Sequence, residues 1–191
     1  MSDIDNHLEE VRNHCERASL YQYFSGDNDS VTTAQVALDT AEDATLAVSH
    51  YENEGIASDD DGEKYLRLYG FLQATFLQQD ANKKLHELFV GGFTEPADIS
   101  AWKQLRELRN LTVGHPIEKV QGKKRRRAFI TRVSLETDTF DYQVWHQETG
   151  QFSYERADLL AIYAAYKQEA VSLLGKVLIA VSGAKGGQPA K

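Results

Sequence analysis

The sequence predicts a mainly helical protein, a bundle of about five helices with a small antiparallel three-stranded β insert before the last helix. Through most of the 191 residues, apolar side chains recur at steps of three and four, which is the helical period. Between about residues 127 and 154 the period changes to two, which is typical of strands. We therefore expect a single domain over residues 1–182, with the insert at about 127–154, and a flexible tail at 183–191.

The first two helices are predicted from stripes of apolar and small residues. One helix runs from about Ile4 to Tyr23, because four residues at helical spacing share a face: Ile4, Leu8, Val11 and Cys15. A polar segment then interrupts the pattern. The second helix begins near Thr32 or Thr33, since either hydroxyl can cap it.

The third and fourth helices are the long central helix and the helix that carries the most informative motif. The central helix is predicted from Glu63 to about Phe89, a stretch without proline. The aspartates at 59–61 lack the ligand spacing of a calcium loop, so we interpret them as an acidic N-terminal cap. The fourth helix follows Pro96 and stops at Gly114-His115-Pro116, because proline disfavours helical geometry at the residue before it.

The β insert is predicted from alternation on either side of a turn. Two strands are joined around Thr137-Asp138, and a short third strand follows Gly150. The last helix is expected from Glu155 to Val181.

Composition favours a cytoplasmic protein that does not enter a membrane. No stretch of 18 residues is free of charge, and the acidic N-terminus does not have the layout of a secretory signal. One cysteine, Cys15, cannot form an internal disulfide, and we interpret it as a buried apolar side chain. No cysteine or histidine spacing indicates a metal site, and no phosphate-binding loop indicates a cofactor.

The net charge of −8 opposes broad electrostatic binding to nucleic acid, so any such contact must be local. Charge reverses in one run, Lys123 to Arg127. Lys123, Lys124 and Arg125 are candidates to hold an RNA backbone. A solvated loop leading into an edge strand is the alternative interpretation.

Arg109 and His115 are the candidate catalytic residues. Arg109 lies near the C-terminal end of the fourth helix, and His115 lies just past that end. A guanidinium holds developing negative charge and an imidazole transfers protons near neutral pH, which are the two needs of phosphodiester cleavage without a metal.

This segment resembles the motif of the HEPN group of nucleases and nucleotide-binding proteins. Asn110 directly follows the arginine, and five residues separate Arg109 from His115. The preceding long helix, from Tyr65 to Gln73 and from Gln78 to Ala81, is also similar to uncharacterised bacterial proteins of HEPN type. The resemblance covers roughly Thr32 to Pro116 and the closing helix.

The resemblance implies a helical bundle that pairs into a homodimer with two copies of the motif facing each other. In active members of the group the 2′-hydroxyl of RNA attacks the neighbouring phosphate without metal. His115 would then transfer protons, Arg109 would clamp the phosphate, and Asn110 would orient the site or the substrate. The resemblance further implies a toxin or defence protein, with a nucleotidyltransferase-like antitoxin as a partner.

Two further interpretations stay open at this point. Asp80 is expected to face Arg106 or Arg109 and to fix the guanidinium, or else to be a plain surface residue. In the alternative for the motif itself, Arg109 pairs with a carboxylate and His115 caps the helix, so that the protein is a non-catalytic interaction module.

Overall fold

The computed structural model of the chain describes residues 3–96, 100–122 and 124–183. Those residues form six helices: α1 (Asp3–His14), α2 (Arg17–Tyr23), α3 (Asn28–Glu54), α4 (Asp61–His86), α5 (Ala101–Arg109) and α6 (Leu159–Gly183). Wider π-helical turns follow α4 at Glu87–Gly91 and α5 at Asn110–Gly114. Four strands, β1 (Lys119–Gln121), β2 (Lys124–Ile130), β3 (Thr139–His146) and β4 (Gln151–Asp158), complete the fold. The mainly helical class is therefore confirmed, and none of these helices is both long and apolar enough to cross a membrane.

The number of helices differs from the prediction because the first predicted helix is two helices. Glu16 has φ −56° and ψ 145°, an extended conformation that separates α1 from α2. Neither proline nor glycine lies at this break, so the sequence carries no signal for it. Cys15, next to the break, is buried as predicted.

Two helix starts are explained by aspartate caps. The Asp27 carboxylate accepts hydrogen bonds from the Asp29 amide and the Ser30 hydroxyl, so α3 begins before the predicted Thr32. The Asp60 carboxylate accepts from the Glu63 amide at 2.8 Å, which confirms the acidic cap on α4.

The sheet has four strands in the order β1-β2-β3-β4, all antiparallel, so the predicted three-stranded insert at 127–154 is too small. β1 has only three residues, too few for an alternating pattern to appear in the sequence. β4 continues to Asp158, and therefore includes residues 155–158, which were predicted to be helical. The helix begins after Asp158, because that carboxylate accepts a hydrogen bond from the Ala161 amide.

The residues group into two compact units. The first comprises Met1–Leu46, Leu77–Ala97 and Lys167–Lys191, and the second comprises Ala47–Phe76 and Asp98–Tyr166. In the first unit the Arg12 guanidinium binds the carboxylates of Asp39 and Glu42, each at 2.7 Å. The predicted tail at 183–191 falls, after Gly183, outside the described residues.

The second unit has an aromatic core and a sheet fixed to the end of α5. Tyr51 packs on Phe71, with ring centroids 3.9 Å apart, and Trp102 packs on Tyr166. Ala128 and Val144 on the inner face of the sheet form a buried cluster with Leu111, which belongs to the π turn that follows α5. The sheet therefore positions the segment that contains the candidate motif.

Candidate active site at the end of α5

The candidate catalytic residues lie on either side of the π turn that ends α5. The helix begins at Ser100, whose hydroxyl accepts a hydrogen bond from the Lys103 amide, and buries Trp102, Leu105 and Leu108. At Asn110 the backbone widens, and the His115 amide donates to the Asn110 carbonyl at 2.8 Å across five residues. Turns of this kind are rare and frequently occur at functional sites.

The Arg109 guanidinium is held in one orientation by two neutral amide side chains. Its Nε and Nη2 atoms donate to the Gln73 side-chain oxygen at 3.0 and 2.8 Å, and Nη1 donates to the Asn110 side-chain oxygen at 3.0 Å. The guanidinium carbon also lies 4.2 Å from the centre of the Phe76 ring, within the range of a cation–π contact. Three hydrogen bonds and a ring thus fix a half-buried cation.

The charge of Arg109 is not compensated by an ion pair in the part of the chain that the structure describes. Arg12, Arg67 and Arg156, in contrast, each bind at least one carboxylate. Of the five N–H groups of Arg109, these bonds occupy three, and two have no acceptor among the described residues. An oriented guanidinium with spare donors and net positive charge is suited to binding phosphate. The predicted alternative, in which Arg109 pairs with a carboxylate, is absent from residues 3–96, 100–122 and 124–183.

The guanidinium lies against the backbone of Gly114, the residue directly before His115. A Cβ atom at Gly114 would be 2.5 Å from Nη1 and 3.1 Å from Cζ of Arg109. The π turn produces this contact, because residues five apart become neighbours when the backbone bonds from i to i+5. The turn therefore places the cation next to the residue before the histidine.

His115 is exposed at the end of this turn, and its ring has no hydrogen-bond partner among the described side chains and backbone groups. It does not cap the helix through its ring, although its amide closes the turn. An exposed imidazole is accessible to a substrate and can exchange protons with solvent. In the same described ranges, no group of three or more His, Cys, Asp or Glu side chains is placed to hold a metal ion.

The other predicted binding residues are divided among three locations. The Arg106 guanidinium carbon lies 4.2 Å from the centre of the Phe76 ring, the same ring that Arg109 contacts. Asp80 belongs to the first unit, where it is exposed and lines a groove of about 330 Å³ together with Thr33 and Lys84. Its predicted pairing with Arg106 stays a prediction.

The basic run is divided between the two faces of the sheet. Lys124 and Arg125 are exposed in β2, and Lys123 lies outside the described residues. Arg126 points to the inner side and binds the Glu107 carboxylate of α5 at 2.7 Å, and Lys119 of β1 binds the other oxygen of the same carboxylate. Arg126 therefore anchors the sheet to α5.

Gln73 and Phe76 were not predicted to belong to the site. They lie three residues apart on α4 and contact Arg109 from a position more than thirty residues earlier in the chain. A glutamine and a phenylalanine in a long helix have no local pattern that predicts such a contact. Gly114 was predicted only as part of the helix stop, and its lack of a side chain is what admits the guanidinium.

No protein-family model, curated protein or solved structure matches this chain.

Proposed function

We propose that the chain is a HEPN-like, metal-independent endoribonuclease that uses Arg109 and His115. The observation that supports this most directly is the uncompensated guanidinium of Arg109, oriented by neutral amides beside Gly114 and His115. A cation that was held only for stability would more commonly bind a carboxylate, which satisfies its charge. Gln73 and Asn110 fix the position of Arg109 and leave its charge available.

The proposed reaction is an internal transfer at phosphorus. The 2′-hydroxyl oxygen of a ribose forms a bond to the adjacent phosphorus, and the bond from phosphorus to the 5′-oxygen of the next nucleotide breaks. His115 accepts the proton of the 2′-hydroxyl, and an acid returns a proton to the 5′-oxygen. The products are a 2′,3′-cyclic phosphate and a 5′-hydroxyl, so that no water, metal or oxidant is consumed. Arg109 stabilises the additional negative charge on the phosphoryl oxygens.

A homodimer would supply the acid that one copy lacks. Each copy has a single histidine in this motif, whereas the reaction needs one group to accept a proton and another to donate one. Two motifs that face each other across a two-fold axis would provide both groups, as the resemblance implies. A role in toxicity or defence, with a nucleotidyltransferase-like antitoxin as partner, is a further part of this proposal that rests on the resemblance alone.

The test is cleavage of a single-stranded RNA in the presence of a chelator by the wild type, His115→Ala and Arg109→Ala. The matched control is His50→Ala, because His50 is also an exposed histidine of the second unit. We expect the control to cleave at the wild-type rate and each site variant to lose about 10²-fold or more. Equal cleavage by the wild type and His115→Ala, or no cleavage by the wild type, would exclude the proposed reaction.

Mixing two inactive variants tests the shared site. If each dimer has one cleft that contains both motifs, a mixture of Arg109→Ala and His115→Ala forms some clefts with one arginine and one histidine. Partial recovery of cleavage in the mixture, with none in either variant alone, is expected. A mixture as inactive as its components would remove the dimeric arrangement.

A non-catalytic interaction module is the second candidate function. It is favoured by an exposed apolar residue next to the motif, Ile117, which follows His115 by two positions and is 83% exposed. Under this function Arg109 would orient the π turn for a partner protein. If the wild-type protein does not cleave RNA in the assay above, the interaction module is the better supported function.

A further inference from the structure

The outer face of the sheet carries exposed aromatic rings in consecutive rows. Side chains alternate between the faces of a strand, so the register sets which residues share a row. One row across β2, β3 and β4 consists of Arg127, Trp145 and Phe152, and the next consists of Phe129, Gln143 and Tyr154. Phe129, Phe152 and Tyr154 are 48%, 47% and 75% exposed. A solvated sheet face is ordinarily polar, so this concentration of rings indicates a binding surface.

The rings touch one another and form a continuous surface. The centroid of the Phe152 ring lies 4.9 Å from that of Trp145 and 5.9 Å from that of Phe129. Neighbouring strands lie about 4.8 Å apart, and successive rows on one face of the sheet lie about 6.8 Å apart. This spacing gives room for two or three stacked bases. In the row beyond Tyr154 the rings end, and Arg156 forms an ion pair with Asp141.

Two arginines, Arg125 and Arg127, lie beside the rings at the end of the face that is farther from Arg156. The side chains of Arg125 and Arg127 are 53% and 47% exposed, and both approach the single carboxylate of Glu118 at 3.6 Å. Glu148 accepts from the backbone amide of Arg125. The two exposed guanidinium groups thus share the carboxylate of Glu118 at long range, and each keeps N–H donors that suit a phosphate.

We propose that this aromatic face (Arg125, Arg127, Phe129, Trp145, Phe152 and Tyr154) binds single-stranded nucleic acid. The rings stack on bases, and the arginines contact phosphates, which is how sheet surfaces bind unpaired strands. The arginines beside the rings favour a polyanion, because guanidinium groups bind phosphate oxygens while aromatic rings stack on bases. Unpaired bases are required, since the faces of paired and stacked bases are not accessible to the rings.

This inference does not depend on cleavage. The aromatic face contains none of the residues proposed for catalysis, so binding is expected whether or not Arg109 and His115 cut RNA. Binding is therefore measured with the His115→Ala protein, in which RNA stays intact.

The experiment is fluorescence anisotropy at low salt with labelled oligouridylate, oligodeoxythymidylate and a duplex of the same length. Phe152→Thr is expected to weaken binding of both single strands by about five- to 100-fold, the effect of losing one stacking ring. Val133→Thr is the matched control, because it also removes an exposed apolar side chain, but outside the aromatic face. The duplex is expected to bind more weakly than either single strand.

The charge contribution has its own pair of variants. Arg127→Gln is expected to weaken binding and to lower the salt dependence by about one phosphate contact. Arg156→Gln is the control, since Arg156 lies on the same face but is bound to both Glu136 and Asp141. A stronger loss with RNA than with DNA would assign the surface to RNA, and equal losses would support single strands of either kind.

Three results would overturn the inference. The first is equal affinity of Phe152→Thr and Val133→Thr for the single strands. The second is preferential binding of the duplex. The third is a change from dimer to monomer in sedimentation caused by Phe152→Thr, because the aromatic face would then be an interface between copies of the chain.

Discussion

Replacing Gly114 by alanine should misplace the Arg109 guanidinium while leaving the fold intact. The added Cβ would lie 2.5 Å from Nη1, whereas ordinary contact begins at about 3.4 Å, so the guanidinium must retreat by about 0.9 Å. The hydrogen bonds to Gln73, at 2.8 and 3.0 Å, cannot both keep their geometry after such a shift. A displacement of about 1 Å in a positioning group costs roughly 10²-fold in rate, and we expect that loss in RNA cleavage.

Stability should change much less than activity, because two effects oppose each other. Losing one or two of these hydrogen bonds costs about 0.5–1.5 kcal/mol each. Alanine in place of a helical glycine contributes about 1 kcal/mol in return. The control is Gly70→Ala in α4, where nothing lies within 4 Å of an added Cβ, and it should be stabilising and fully active. Equal cleavage rates for the two alanine variants, measured beside their urea unfolding curves, would refute this account of the site.

Three other predictions concern stability and reactivity. Gly55→Ala should lower the free energy of unfolding in urea by about 2 kcal/mol or more, because Gly55 has a φ of +64° and an added Cβ would lie 2.7 Å from the Thr137 carbonyl oxygen. A variant as stable as the wild type would contradict this close approach. Burial raises the pKa of Tyr51, and the neighbouring carboxylate of Asp138 raises it further, so the neutral hydroxyl stabilises the folded protein fully below the unfolded pKa of about 10. This stabilisation is lost as pH rises above that value. The free energy of unfolding should therefore fall less steeply above pH 10 in Tyr51→Phe than in the wild type, and identical slopes would show that Tyr51 is not responsible. Burial raises the pKa of Cys15 to about 11, so only about 10⁻³ of the thiol is ionised at pH 8. Alkylation of Cys15 should therefore be slow until denaturant is added. Fast alkylation of the folded protein would contradict the burial of this thiol.

The helices were predictable where apolar residues repeat over several turns, and the errors occur where the signal is short. α4 and α6 were predicted to within a few residues, because their patterns extend through more than twenty residues. The break at Glu16 has no proline, glycine or capping side chain, so the apolar pattern predicts one helix where the structure has two. β1 is three residues long and pairs with β2 through backbone bonds, which any sequence can make.

The candidate site was predictable only in the part that is local in sequence. Arg109 and Asn110 contact each other at one helix end, which is local in sequence, whereas the approach of the His115 ring to Arg109 stays a prediction. The contact with Gln73 spans 36 residues and depends on how α5 packs on α4 within the second unit, which no local pattern specifies. The same limit applies to the aromatic face, since the rings of Trp145 and Phe152 meet only after the register of β3 and β4 is set.

An uncompensated arginine is unexpected in a chain with 29 acidic and 21 basic side chains, and the sheet helps to explain how one is maintained. Glu107, two residues before Arg109, is bound by Arg126 and Lys119 on the inner side of the sheet. Because strand alternation sends Arg126 inward and Arg127 outward, one basic run both occupies this carboxylate and places cations on the aromatic face. The charge of Arg109 thus remains available because the nearest acidic side chain on its own helix already has partners, and the neutral amides of Gln73 and Asn110 can orient the guanidinium without cancelling it.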